Sequence, residues 1–308
     1  MLQDWRQLAV FRATVESEGW LRKQIPEEMP NRVPAGSGPR MVSRVSYELH
    51  LVRTVGKLFG KKKAFEFAFL LPLVLASKKN RSAYERIAPC KTEIEGVTVV
   101  LPHPDARFLE EIVSNGCYTS PEGFEIRRQD TVVDLGANVG VFTILAAIRA
   151  HDGRVISIEP EEESFRYLCE NVAANSFTHV EPFRLAVSGA DGHTQLSVSN
   201  PGNNHILTKS PAKKQAQTEI VETTSLPSLF SRLNLPRVDL VKMDIEGAEF
   251  LAFEEHSWLE NVERIAMEAH PDLGNIDTIR KRLEEHGFSV EITPAYDAGM
   301  LYVFGRRE

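Results

Sequence analysis

Residues 132–140, VVDLGANVG, constrain this chain more than any other stretch. The apolar residues around Asp134 suit a strand buried on both faces, and residues 139–150 have helical character. Gly136 and Gly140 must therefore turn the chain sharply between a strand and a helix. Open sheets built this way take ligands beyond the carboxyl ends of their strands, where the strand order switches.

The alternation continues downstream. Strands are expected at residues 154–159, 180–187, 238–244, 263–269, 288–293 and 300–305. Helices are expected at 161–175, 225–233, 248–255 and 276–286. The pattern predicts an α/β fold, a doubly wound, mainly parallel seven-stranded sheet of Rossmann-like type with helices on both faces. Two alternating runs, 194–198 and 219–223, predict a hairpin inserted within the polar stretch 189–224. Upstream, residues 92–101 alternate around Glu95-Gly96 and predict another hairpin, followed by a short helix at 105–115. This domain is placed at 91–308, with its core at 130–306, behind a mainly helical extension of residues 1–90.

Charge divides the chain at the same place. Residues 1–90 carry 16 Lys+Arg against 8 Asp+Glu, and the remainder carries 20 against 35, within a net charge of −7. Phosphate contacts require basic surface, so the acidic body argues against nucleic-acid binding there. The thirteen-residue apolar stretch 64–76 is interrupted by Glu66 and Pro72, whereas a membrane-spanning helix needs about twenty apolar residues. Lys61, Lys62 and Lys63 precede it and Lys78 and Lys79 follow. That leaves two readings of 61–79, a buried helix or peripheral contact with an anionic membrane surface. Residues 1–20 mix charges and lack an apolar core, so no secretory leader is expected. The three cysteines form no CxxC pair, which fits a reducing, cytoplasmic setting, free or at the membrane periphery.

A dinucleotide site would place GxGxxG at the first turn to admit a pyrophosphate. This turn reads Gly136-Ala137-Asn138-Val139-Gly140, with Asp134 two residues before it. An acid there repels pyrophosphate and suits a nucleoside carrying an ammonium and a sulfonium, as S-adenosylmethionine does. Glu159, followed by Pro160, ends the next strand 23 residues after Gly136, where a carboxylate can accept from both ribose hydroxyls. Asp244 ends the fourth strand, with Lys242 on the same parity and Glu246-Gly247 in the following loop. Glu249 stands where it can favour the start of the next helix. Glu268 and His270 share parity at the fifth strand end. His270 is the leading proton-accepting base, since imidazole titrates near neutrality. Two other readings stay open: His270 as a hydrogen-bonded strand-end residue, or Asp244, Glu246, Glu268 and His270 together around Mg²⁺ or Mn²⁺.

These elements resemble the FkbM-type methyltransferases, a branch of the class I S-adenosylmethionine-dependent enzymes. The matching residues are DLGANVG from Asp134, IEP from Ile158, RLAVS from Arg184, ETTSL from Glu222, VKMDIEGAE from Val241 and EAHP from Glu268. The resemblance covers about residues 105–305 and leaves residues 1–90 unmatched. It implies methyl transfer to a hydroxyl oxygen of a sugar, a lipid-linked glycan or a secondary metabolite. It also implies that Asp134, Gly136, Asn138 and Glu159 hold the cofactor, with Ala186 near the adenine; Ala137, Gly140, Pro160 and Asp244 complete the expected cofactor set. The expected partner is a small-molecule, glycan or lipid-linked acceptor. One rival is an RNA base methyltransferase, which usually carries (N/D)PP(Y/F) where this chain has Asp244-Ile245-Glu246-Gly247. Another is a non-catalytic nucleoside-binding protein at a membrane, against which the acids at the strand ends speak.

Overall fold

The computed structural model describes residues 90–101, 109–198, 205–206, 217–295 and 299–307. The chain divides into units of residues 1–47 and 48–308, and every described residue lies in the second. Residues 1–89, including the basic-flanked stretch 61–79, lie outside the described residues. Among the described residues, no helix is long and apolar enough to cross a membrane.

Strands β1 (Cys90–Ile94) and β2 (Val97–Leu101) form an antiparallel hairpin. Glu95 and Gly96 take positive φ of 49° and 86°, as a two-residue hairpin turn of this hand requires. The helix expected at 105–115 is described only from residue 109, and there it is a π-helical turn, Glu110–Ser114. Such turns are frequent at functional sites.

Then follow β3 (Thr131–Leu135), α1 (Val141–Arg149), β4 (Arg154–Ile158), α2 (Glu162–Ala174) and β5 (Val180–Phe183). Glu161 caps α2, its carboxylate accepting from the backbone N–H groups of Glu163 and Ser164. The stretch 180–187, expected as one strand, divides. Phe183 ends β5, while β6 (Ala186–Val187) leaves the main sheet to pair with Thr223 and Thr224. The inserted hairpin forms as expected from β7 (Gly192–Val198) and β9 (Gln217–Thr224), with β8 (His205–Ile206) at its edge.

The second half comprises α3 (Leu226–Arg232), β10 (Leu240–Met243), α4 (Glu249–Ala252), β11 (Arg264–Ala269), α5 (Ile276–Glu285), β12 (Phe288–Pro294) and β13 (Leu301–Arg307). Helix α4 is shorter than the expected 248–255. Glu255 turns its carboxylate onto the Ser257 N–H and hydroxyl, which starts a separate 3₁₀ turn, Ser257–Asn261.

The main sheet has the order β12-β13-β11-β10-β3-β4-β5. Its strands are parallel from β11 through β5, and β13 lies antiparallel between β11 and β12. Alternate side chains enter two cores. Val133, Ile156, Val241 and Ile265 pack with residues of α3 and α5, and Val132, Val155, Leu240 and Ala266 with residues of α1 and α2. The strand order reverses between β3 and β10, so a crevice opens at their carboxyl ends.

Candidate functional site

That crevice is a cleft of about 940 Å³, counted to its open mouth. Gly136, Ala137, Asn138, Glu159, Pro160, Ala186, Asp244 and Glu246 line it; Asp134, Gly140, Glu268 and His270 do not. The β3–α1 turn is shaped by left-handed backbone at Gly136 (φ 76°), Asn138 (φ 51°) and Gly140 (φ 91°). A Cβ on Gly136 would lie 1.7 Å from the Asp244 carbonyl oxygen. Only a glycine lets the two strand ends approach so closely.

The hydrogen bonds of this turn decide what kind of ligand it can meet. The Gly136 and Ala137 N–H groups both donate to the Ile158 carbonyl, at 3.0 and 2.9 Å. Asn138 N–H donates to Glu159 Oε2 at 2.7 Å, Val139 N–H to Asn138 Oδ1 at 2.8 Å, and Gly140 N–H to the Ala137 carbonyl at 2.9 Å. Every N–H from residue 136 to 140 is thus used within the protein. A phosphate cradle needs such donors free, whereas this wall presents carboxylates and carbonyls. Glu159 is 7% exposed, and its Oε1 accepts from Glu161 N–H at 2.8 Å. Burial pushes its pKa up to about 7, against the pull of those two backbone N–H groups.

Asp134 departs from the expectation that it holds the cofactor. It is fully buried and sits in register with Lys242 of β10 on one side and Ser157 of β4 on the other. Its Oδ2 accepts from Thr143 Oγ1 at 2.6 Å, and its Oδ1 faces Lys242 Nζ at 3.2 Å. Lys242 Nζ in turn donates to the Gly136 carbonyl at 2.8 Å. Burial works against the lysine's charge, yet Asp134 and then Asp244 hold its pKa above the ordinary value. This row of polar side chains across three strands lies beneath the turn and fixes it. Lys242 does line the cleft; its parity with Asp244 was the sequence signal for it. Gly140, also expected to touch the cofactor, instead packs on α2, where an added Cβ would meet Leu168 Cδ1 at 2.7 Å.

The loop after β10 coils around a buried acid. Glu249 is fully buried, and its Oε1 accepts from the N–H groups of Ile245 and Gly247, each at 3.2 Å. His270, 6% exposed, places Nδ1 at 3.2 Å from Glu249 Oε1 and Nε2 at 3.4 Å from Glu246 Oε2. Burial opposes the imidazolium, but the hydrogen bonds to Glu246 and then Glu249 outweigh it and push the His270 pKa up to about 11. Both of its ring nitrogens face carboxylates and His270 does not line the cleft, so it is not placed to take an acceptor's proton as its residue type suggested. Its place fits the other sequence reading, a hydrogen-bonded strand-end residue. Glu268 meets a different partner, the Tyr118 hydroxyl. The four side chains weighed as metal ligands therefore do not converge, and no group of three or more His, Cys, Asp or Glu is arranged to hold a metal among the described residues.

Apart from Ser164, the remaining wall is apolar. Ile112, from the π-helical turn, and Leu196, from the inserted hairpin, both line the cleft. No motif marks either, because only the chain's crossing over the sheet brings them there.

The family model described as Methyltransferase FkbM domain matches residues 134–290, just over half of the 308 residues. Methyltransferase 1 of Beauveria bassiana (strain ARSEF 2860) is 22% identical over 182 residues, 52% of this chain and 73% of that protein. The 31-O-demethyl-FK506 methyltransferase FkbM of Streptomyces tacrolimicus is 26% identical over 221 residues, 60% of this chain and 83% of that protein. Among solved structures, M. jannaschii TYW2 in complex with AdoMet aligns over 71% of this chain and 87% of its own, at 15% identity and a TM-score of 0.37.

Proposed function

The chain belongs to the FkbM family of methyltransferases, and from that premise we propose that it moves a methyl group from S-adenosylmethionine to a hydroxyl oxygen of a glycan, a lipid-linked sugar or a secondary metabolite. The observation that carries the cofactor part is the state of the β3–α1 turn. Its N–H groups are spent internally, and the wall beside it offers Glu159, Asp244 and Glu246. Such a surface suits a cationic nucleoside better than a phosphorylated one.

The residues fit that ligand. Glu159 has a second lone pair on each oxygen for the ribose hydroxyls. Pro160, Ala186 and Leu196 supply apolar wall for a base. A bound sulfonium supplies an activated methyl group. The protein's task is then to align the acceptor oxygen, a contribution on the order of 7–11 kcal/mol, and to take its proton, typically about 10²–10⁴-fold. With His270 turned to Glu246 and Glu249, Asp244 on the cleft wall is the group for that proton. His270 instead holds Glu246 and Glu249, and through them the loop.

Calorimetry with S-adenosylhomocysteine should show binding. Methyl-labelled cofactor incubated with a host-cell extract should then put label into the glycan, lipid or small-molecule fraction. Label confined to RNA would overturn the choice of acceptor, and no heat with the nucleoside would overturn the reading as a whole.

A further inference from the structure

A side chain that no motif marks stands behind the cleft wall, against Asp244. Tyr118 lies ahead of the family-matched residues 134–290 and is 3% exposed. Its hydroxyl stands 3.1 Å from Asp244 Oδ2 and 3.4 Å from Glu268 Oε2. The ring is packed on several sides. Phe142 and Tyr302 meet it edge-on at centroid distances of 5.8 and 5.9 Å, and Lys242 Nζ sits 5.3 Å from its centroid. A hydroxyl has one proton to donate, and here two carboxylates compete for it. Turning the O–H from one to the other moves no heavy atom. Burial, and next the Asp244 charge, hold the hydroxyl far above the ordinary tyrosine pKa, so it remains a donor.

We infer that Tyr118 is a positioning residue for methyl transfer, sharing its hydroxyl proton between Asp244 and Glu268 and so setting how readily Asp244 takes the acceptor's proton. This rests on the methyl-transfer reading above. Of the three groups, Asp244 alone lines the cleft. As the acceptor oxygen bonds to the methyl carbon, the carbon–sulfur bond breaks, its electron pair stays on sulfur, and the acceptor's proton passes to Asp244. Tyr118 then directs its O–H to Glu268. Asp244 loses the hydrogen bond that favours its carboxylate form, keeps the proton through the transfer, and releases it later to solvent at the cleft mouth.

Other charged and titratable groups face this trio. Lys242 of β10 lies 4.0 Å from Asp244 Oδ2. Cys117 adjoins Tyr118 in the chain, and Tyr302 of β13 donates to Glu111 of the π-helical turn.

The test is a titration of the full chain carrying ¹³C-labelled aspartate and glutamate carboxyls, with the Asp244 signal assigned by Asp244→Asn. Tyr118→Phe keeps the ring and removes the shared proton, and should raise the Asp244 midpoint. Glu268→Gln removes the competitor and should lower it. An Asp244 midpoint unmoved by Tyr118→Phe overturns the role. Should that variant fail to fold, a midpoint that stays or rises in Glu268→Gln overturns it equally. Heat with S-adenosylhomocysteine separates the two levels. Its absence in the wild type removes methyl transfer and this role together, whereas an unmoved midpoint beside normal heat removes the role alone.

Discussion

A carboxyl with a pKa near 7 on the wall of a ligand cleft links binding to pH, and Glu159 is such a group. On the proposed reading, ribose hydroxyls donate to it and favour the carboxylate, so the bound pKa falls below the free one. Affinity for S-adenosylhomocysteine should be full above about pH 7 and fall by up to about tenfold per unit below it. Calorimetry across that range checks this, and Glu159→Gln should flatten the dependence. His270 works at the other end of the scale. Its folded pKa of about 11 lies above the ordinary 6.5, so its contribution to stability is complete below about pH 6.5. As the pH rises, the unfolded chain gives up a proton that the folded chain retains, and the contribution is gone once the pH passes about 11. Denaturant titrations between neutral and alkaline pH should show this decline in the wild type and a shallower one in His270→Gln. Residue identity alone misassigned this histidine, because its charge is set by Glu246 and Glu249, which the coiled loop brings to it.

At the scale of elements, the β3–α1 turn and the loop after β10 form one unit, since the Gly136 position touches the Asp244 carbonyl. Gly136→Ala adds a clash to a left-handed backbone and should cost about 3 kcal/mol or more. Thermal unfolding reads that loss, and binding of the nucleoside should vanish with it. Near-normal stability would mean that the two strand ends separate easily. Strand, turn and helix were legible around this glycine because burial on both faces and glycine spacing are local signals. The division of 180–187 was not. It depends on β6 finding β9, across the inserted hairpin.

The whole domain extends past the residues the family model matches. β13 begins at Leu301, beyond that span, yet it lies between β11 and β12. Before the span, Asp130 pairs with the buried Arg264 of β11 at 2.6 Å, and Arg264 also donates to the carbonyls of Gly123 and Glu125. Removing one partner of such a pair typically costs about 3–5 kcal/mol. A fragment of residues 134–290 should therefore show no cooperative melt by circular dichroism, while residues 48–308 should melt in one transition. A sharp melt of the shorter fragment would contradict the place assigned to β13.

The amino-acid order alone determined the alternation of strands and helices, the glycine turn, the inserted hairpin and the polar part of the cleft lining. These follow from periodicity and backbone permissiveness over a few neighbouring positions. Tertiary structure decided the partners of the charged groups. Asp134 belongs to Lys242 through strand register, His270 to two carboxylates through a coiled loop, and Asp244 and Glu268 to Tyr118 through a segment crossing the sheet. A side chain's charge depends on what lies within a few ångströms of it, and distant parts of the chain supply those neighbours.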